Sequence, residues 1–331
     1  MNLDELAIKY HNAEDRVSRT LLWGKPRGGK TAFAATIAKL PEIDRVFWFD
    51  LESGLETVIF DDELPEHYRL TAEERQKITV IRVQDTPALP LAAYTILKAF
   101  SATKPESICE GHGKIDCPVC KANGTPSVLF NLASLTPRDA VVIDSGSQLA
   151  DSIVNMKLNT MKNANGSDVH LMQVYGAAGL DLTAVFSMLQ AANTNCIVCT
   201  HEVDTVNKKE VATGTFPLVG SQAYSKKVGK YFGHVVYCEF KAKKFIKGSH
   251  PSYKQDYITG SRTGARLENV DNPVMKDLIY PDKSKETATN GRPVIGGGPA
   301  AIAKATAPTK QTATSKQASP AIKPKLNLTH R

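Results

Sequence analysis

The sequence predicts an α/β fold in which a mostly parallel sheet is flanked by helices. Three observations predict it. Short β-type runs alternate with helical stretches through the first 240 residues, the pattern of parallel strands joined by helical crossovers. A glycine-rich turn, Gly24-Lys25-Pro26-Arg27-Gly28-Gly29-Lys30-Thr31, stands between the first strand and the first helix. A later apolar run, Ala140-Val141-Val142-Ile143, ends on Asp144.

In chain order, 19–23 reads as the first strand and 31–40 as a helix with Ala and Ile at helical spacing. A second strand, 45–49, ends on Asp50; a third, 78–83, is followed by an apolar helix near 89–100. The fourth strand is 140–143, a long amphipathic helix covers 173–192, and 195–200 is the fifth strand. Segment 203–222 is polar and glycine-containing and reads as a loop, while 232–240 and 255–259 read as strands of a terminal meander. Two insertions stand out, a Gly/Cys segment at 104–126 and a polar loop at 161–170. The expected organisation is an N-terminal arm (1–17), one core (18–282) that includes the 104–126 insertion, and a tail (283–331).

Composition narrows the class. A chain of 331 residues that is 42% hydrophobic can bury one large core or two small ones. No stretch approaches the roughly 18 to 20 apolar residues that a bilayer span needs, and the opening MNLDELAIKYHNAEDR is too charged for a signal peptide. The expectation is a cytoplasmic protein with no membrane partner. Six cysteines are too few for a disulfide scaffold in a chain this long, so they read as core residues, metal ligands or reactive thiols. The net charge of +7 is concentrated: 283–331 holds nine Lys or Arg against one acid, Glu286, which leaves the rest of the chain at −1. That tail of Ala, Thr, Lys, Pro and Gln lacks the apolar side chains that offset ordering entropy, so it reads as disordered. It is either a charge tether for nucleic acid or a partner protein, or a solubilising extension.

The glycine-rich turn has the form G-x-x-x-x-G-K-[ST]. Successive backbone N–H groups can wrap phosphates, the glycines allow close approach, and a helix N-terminus faces the anion. Gly24, Lys25, Pro26, Arg27, Gly28, Gly29, Lys30, Thr31 and Ala32 are therefore the candidate nucleotide-binding residues. Lys30 would reach the β and γ phosphates and Thr31 would hold Mg²⁺. The metal also needs a carboxylate at the end of an apolar strand, and Asp144 fits, with Ser145 adding a hydrogen bond to the metal's water shell. Hydrolysis needs a base for the attacking water, and Phe49-Asp50-Leu51-Glu52-Ser53-Gly54 puts two carboxylates beyond the second strand. Glu52 is the candidate base; the alternative is that it caps the following helix. A strand lies between the phosphate-loop and metal-binding strands in sequence, which leaves room for the glutamate strand between them in space. The fifth strand ends in Thr200-His201-Glu202, where His201 can sense the γ-phosphate or be an ordinary strand-end histidine.

Taken in order, GKPRGGKT, FDLESG, VVIDSGSQL and CTHE resemble the RecA-like P-loop ATPases, most closely phage-encoded RecA-core proteins of the single-strand annealing and recombination type. The likeness covers about 18–265. It implies a RecA-like core, ATP hydrolysis between subunits of a ring or filament, action on single-stranded DNA and, if phage-encoded, a host bacterial cytoplasm. The loops 161–170 and 203–222 would then face DNA, with Lys162, Lys208 and Lys209 as phosphate contacts. Lys226, Lys227, Lys230 and Arg262 are candidates to reach a neighbour's γ-phosphate. The tail would suit a single-strand-binding protein. The extra C-terminal domain of bacterial RecA and the N-terminal domain of eukaryotic recombinases have no counterpart in the sequence, which favours annealing or ATP-gated DNA binding over full strand exchange. The alternatives are a replication accessory ATPase, such as a helicase or helicase loader, and a DNA-binding scaffold that uses ATP as a structural ligand.

In the 104–126 insertion, Cys109, His112, Cys117 and Cys120 have the spacing C-x₂-H-x₄-C-x₂-C. Two chelating pairs with tight-turn residues Gly111, Gly113 and Pro118 suit a tetrahedral Zn²⁺ site; a redox dithiol at Cys117 and Cys120 or an accidental cluster are the alternatives. Four protein ligands would make the zinc structural, because no position is left for water. Cys196, Cys199 and Cys238 lie in apolar strands and read as core residues.

Overall fold

The computed structural model describes residues 16–56, 58, 64–162, 166–206, 212–241, 244–248, 259–262, 267 and 272–280, all within the unit Met1–Ser284. The arm before residue 16, the tail, Lys208, Lys209 and 255–258 lie outside the described residues.

Strand β1 (Arg19–Trp23) leads through the glycine-rich turn into α1 (Lys30–Ala35), which tightens into a 3₁₀ turn over Thr36–Lys39. β2 (Arg45–Asp50), the short α2 (Ala72–Gln76), β3 (Ile78–Arg82) and α3 (Leu91–Ser101) follow. Thr71 and Glu74 form a reciprocal capping box at the start of α2, satisfying two of its free N–H groups. The insertion is a hairpin, β4 (Glu106–Cys109) and β5 (Ser127–Phe130), with α4 (Pro118–Ala122) at its tip. Next come β6 (Asp139–Asp144), α5 (Gly146–Thr160), α6 (Leu171–Ala191) and β7 (Asn195–Thr200).

The remaining elements are β8 (Glu202–Val206), β9 (Ala212–Pro217), α7 (Gln222–Ser225), β10 (His234–Lys241), β11 (Lys244–Gly248), β12 (Gly260–Ser261) and α8 (Met275–Ile279). Segment 203–222 is thus no simple loop: β8 and β9 pair antiparallel from Glu202↔Pro217 outward. Helix α5 was also not expected; its apolar side is broken by polar residues, and Ser145 starts it by accepting a hydrogen bond from Gln148 N at 3.2 Å.

The main sheet runs β11-β10-β1-β7-β6-β2-β3, with β12 pairing on β10. The six strands from β10 to β3 are parallel, and β11 and β12 join β10 antiparallel. This corrects the expected order. The strand between the phosphate-loop strand β1 and β6, which ends on Asp144, is β7, and β2, which leads to Glu52, lies on the far side of β6. The physical reason is burial: every residue of Asn-Cys-Ile-Val-Cys-Thr in β7 is buried, whereas β2, also bonded on both edges, begins on exposed Arg45 and lies beside the partly exposed edge strand β3. The terminal strands extend the sheet within the one expected core: β10 lies parallel beside β1, and β11 and β12 pair with β10.

Alternation along the strands divides the core between two faces. Leu21, Trp23, Phe49 and Ile143 pack with α3, α5 and α6 through Ile96, Leu149, Ile153, Leu182 and Val185. Leu22, Trp48, Val142 and Cys199 pack on the other face with Phe33, Ile37, Met275 and Leu278. Cys196, Cys199 and Cys238 are fully buried in these strands.

Candidate functional site: a phosphate loop, a carboxylate rim and a thiol knuckle

Because the central strands are parallel, their C-terminal ends share one rim, and the chain leaving each end carries the candidate residues. The glycine-rich loop leaves β1 there and runs against β10. A Cβ added at Gly24 would lie 2.1 Å from the Cys238 carbonyl oxygen, and one at Gly28 would lie 2.8 Å from it. Gly24 (φ 146°) and Gly29 (φ 81°) take angles that favour glycine, and Arg27 also has positive φ (60°). No side chain caps α1, so its first N–H groups are free to meet an anion. Lys25, Pro26 and Arg27 are exposed at the crest, whereas Ala32 is buried in the helix. Lys30 is buried, and its Nζ donates to the carbonyls of Gly24 (3.1 Å) and Lys25 (2.7 Å), which holds the ammonium inside the loop.

Thr31 Oγ1 donates to Asp144 Oδ2 at 2.8 Å, so the two expected Mg²⁺ ligands already touch. Burial pushes the Asp144 carboxyl up to about 6; the hydrogen bond from Thr31 and the Lys30 charge oppose this, and the Glu52 and Asp50 carboxylates add to it. A divalent cation at this point would relieve that repulsion. Asp50, opposite Asp144 in the sheet register, is fully buried. Its Oδ1 accepts from Gly54 N at 3.1 Å, and Arg82 Nε lies 3.8 Å from its Oδ2.

Among the described residues Glu52 caps no helix. Its carboxylate accepts a hydrogen bond from Ser145 Oγ and meets His201 Nε2 at 2.9 and 3.2 Å. Burial raises the Glu52 pKa, but the hydrogen bonds from His201 and Ser145 and the charges of His201 and Lys30 outweigh it, leaving the carboxyl below its ordinary value. Ser145 is therefore turned to Glu52 and to the cap of α5, and the peptide before it is cis. His201 is held from behind: its N–H donates to Ser147 Oγ (2.9 Å), Ser147 donates to Leu218 O (2.7 Å), and Leu218 N donates to His201 O (2.7 Å). These bonds tie the end of β7 to the exit of the β8–β9 hairpin. Beside it, Thr200 Oγ1, His201 Nδ1 and Glu202 Oε2 are buried without a hydrogen-bond partner among the described residues.

Sequence reasoning gave no role to Ser147 or Asp50 and treated Thr200 only as a neighbour. Ser147 lies in VVIDSGSQL, but only the approach of β7 to α5 shows what its hydroxyl does.

Among the described residues, the structure does not bring the remaining basic candidates into the site. Lys226, Lys227 and Lys230 are exposed, with the Lys226 ammonium 5.3 Å from the Phe216 ring centroid and that of Lys230 4.7 Å from Tyr231. Arg262 N donates to Gly233 O just before β10. As β10 is parallel to β1, Arg262 is at the rim opposite the phosphate loop. Lys162 pairs with Asp168, whose carboxyl that hydrogen bond holds below its ordinary pKa.

In the insertion, Cys109, His112, Cys117 and Cys120 converge with all ligand atoms within 4.8 Å of one another. His112 Nδ1 lies 3.1, 3.7 and 4.0 Å from the sulfurs of Cys120, Cys117 and Cys109. Ligands on one tetrahedral zinc would stand about 3.5 Å apart for N and S. The three thiols are buried and unbridged, so the donor set fits a Cys₃His metal site.

Comparison with solved structures finds weak likenesses. One is to an ATPase from the type III secretion system of pathogenic bacteria, at 13% identity and TM-score 0.36, covering 68% of this chain and 51% of that one. The chain thus spans about half the length of that protein. Another is to the RadB recombinase, at 12% identity and TM-score 0.36, covering 72% and 85%. Comparison with curated proteins gives no match. The family described as "AAA domain" matches residues 16–267, most of the chain and all of the phosphate loop and carboxylate rim, and the protein belongs to that P-loop ATPase family.

Proposed function

We propose that this protein hydrolyses ATP, with Glu52 as the base, and that it uses the cycle to act on single-stranded DNA in strand annealing or recombination. The observation that carries the hydrolytic part is the placement of Glu52 on the same rim as Lys30, Thr31 and Asp144, with its carboxylate held ionised by Ser145 and His201. The loop N–H groups and Lys30 would hold the phosphates of ATP, and Thr31 with Asp144 would hold Mg²⁺, which would supply positive charge to offset that on the phosphate oxygens. Glu52 takes a proton from the attacking water as its oxygen bonds the γ-phosphorus and the bond to ADP breaks. His201 fixes the Glu52 carboxylate and, through Ser147 and Leu218, links it to the β8–β9 hairpin.

The DNA substrate is supported by the resemblance of the four ordered motifs. Lys162, Lys208 and Lys209 are its proposed phosphate contacts, and Lys226, Lys227, Lys230 and Arg262 the proposed trans-acting groups in a ring or filament. Cys109, His112, Cys117 and Cys120 are proposed to hold one structural Zn²⁺, which closes the insertion tip.

ATP turnover measured with and without single-stranded DNA, beside particle images of the nucleotide-bound form, tests this reading. Stimulation, oligomers and annealing of complementary strands without unwinding are expected. Turnover that ignores DNA, from a monomer, would remove the recombination role, and unwinding would point to a helicase.

A further inference from the structure

The insertion does not stand apart from the catalytic rim. Its ligand-bearing segment Gly111-His112-Gly113 lies on the exit of β3. Gln84 N donates to His112 O (3.1 Å), Gln84 Nε2 donates to Gly111 O (2.9 Å), and the buried Thr95 hydroxyl donates to Gly113 O (2.7 Å). Packing there is close: a Cβ on Gly113, whose φ is +70°, would come within 2.7 Å of Arg82 O and of Val83 Cγ2.

The next residue, Asp85, turns from that contact to the helices behind the rim. Its Oδ1 accepts from Ala92 N (3.0 Å) and Ser152 Oγ (2.9 Å), and its Oδ2 accepts from Gln148 Nε2 (2.9 Å). One carboxylate thus joins the start of α3 to the first two turns of α5. Ser152 repeats the link by accepting from Ala93 N at 3.0 Å. Gln148 is also the residue whose N–H is capped by Ser145, and Ser145 is the donor to Glu52. From the knuckle histidine to the base, the path is His112, Gln84-Asp85, Gln148, Ser145 and Glu52. Charge-assisted bonds to a carboxylate are strong for their length, and three of them on Asp85 make its position definite.

We propose that the metal knuckle is a brace for the catalytic rim, acting through Gln84 and Asp85, and that Asp85 is a positioning residue for Glu52. This rests on the reading of Glu52 as the base. Ligation of His112 holds Gly111–Gly113 on the β3 exit. That contact holds Asp85 against α5, and the first turn of α5 then presents the Ser145 hydroxyl to Glu52. The knuckle therefore serves catalysis from a distance, with no open coordination position of its own.

Amide hydrogen exchange on the full chain, metal-loaded and after chelation, tests the brace without reference to turnover. Removing the metal is expected to raise exchange at least about tenfold at 84–95 and 146–152 while the α1 region, 30–39, is unchanged. A rise confined to 104–126, or a purified chain that holds no metal, overturns the proposal.

Asp85→Asn in the metal-loaded protein gives the second arm. It is expected to keep its metal, to raise exchange at 146–152, and to lower kcat about tenfold with KM for ATP within about twofold. The acid limb of kcat should also move to higher pH, because the Ser145 hydrogen bond that lowers the Glu52 pKa is loosened. If Asp85→Asn lowers the melting temperature but leaves kcat and that limb where they were, Asp85 is only packing and the proposal fails. If Glu52→Gln turns over ATP normally while exchange responds as expected, the base assignment fails and the brace stands.

Discussion

His201 Nε2 lies 2.9 Å from Glu52 Oε2 although the two residues are 149 positions apart and leave strands β7 and β2, which are separated by β6. Ser145, from the strand between them, bonds the same carboxylate. Residues leaving three adjacent strands thus meet at one acidic group, and what that group does follows from its surroundings.

Glu52→Gln keeps the shape of this contact but removes the proposed base. Turnover should fall at least about 100-fold while ATP affinity changes less than about threefold. Single-turnover hydrolysis and nucleotide titration separate the two, and undiminished turnover would show that another group activates the water.

His201→Ala removes the leading hydrogen bond that lowers the Glu52 pKa, so that burial, which raises it, is opposed only by the Ser145 hydrogen bond and the Lys30 charge. The Glu52 carboxylate then protonates at a higher pH, so with Glu52 as the proposed base the acid limb of the turnover profile shifts upward relative to wild type. A pH–rate profile with an unmoved acid limb would mean that His201 does not govern this carboxylate.

Asp144 gives the opposite sign in stability. Its native pKa of about 6 lies above the ordinary 3.8, so between these values the native state binds more protons than the unfolded one. Its contribution to stability therefore falls as pH rises from about 4 to 6. At pH 7, without nucleotide, Asp144→Asn is expected to raise the melting temperature by about 3 °C. The same substitution should abolish the Mg²⁺-dependent part of ATP stabilisation. Thermal melts with ATP, with and without Mg²⁺, check both halves.

Gly24→Ala places a methyl 2.1 Å from the Cys238 carbonyl oxygen at a φ of +146°. Strain and overlap should cost about 3 kcal/mol or more, and the displaced loop should lose nucleotide binding. Chemical denaturation and ATP titration read these, and a variant that binds ATP as wild type would contradict the packing described.

Metal analysis should find zinc at about one per chain, and Cys120→Ser should reduce it to a small fraction. A full zinc complement in Cys120→Ser would place the metal elsewhere.

The glycine-rich loop between strand and helix, the strand that ends on Asp144 and the clustering of Cys109, His112, Cys117 and Cys120 were legible in the sequence because each depends on neighbours close along the chain. A strand that ends in a carboxylate, or two cysteines three apart, can be read from one segment. The strand order was not legible in the same way. Whether β2 or β7 occupies the slot between β1 and β6 is decided by tertiary packing, since both runs are apolar and each bonds a strand on either edge.

By itself, then, the sequence determined the phosphate-loop motif, the carboxylate that ends its apolar strand and the Cys/His spacing of the insertion, all of them local arrangements. Tertiary structure alone decided that His201 serves Glu52, that Ser145 faces the base as well as capping α5, and that Asp85 connects the knuckle to the rim. Those relationships are made by side chains from segments tens to more than a hundred residues apart, and their partners are chosen by the packing of strands and helices rather than by spacing along the chain.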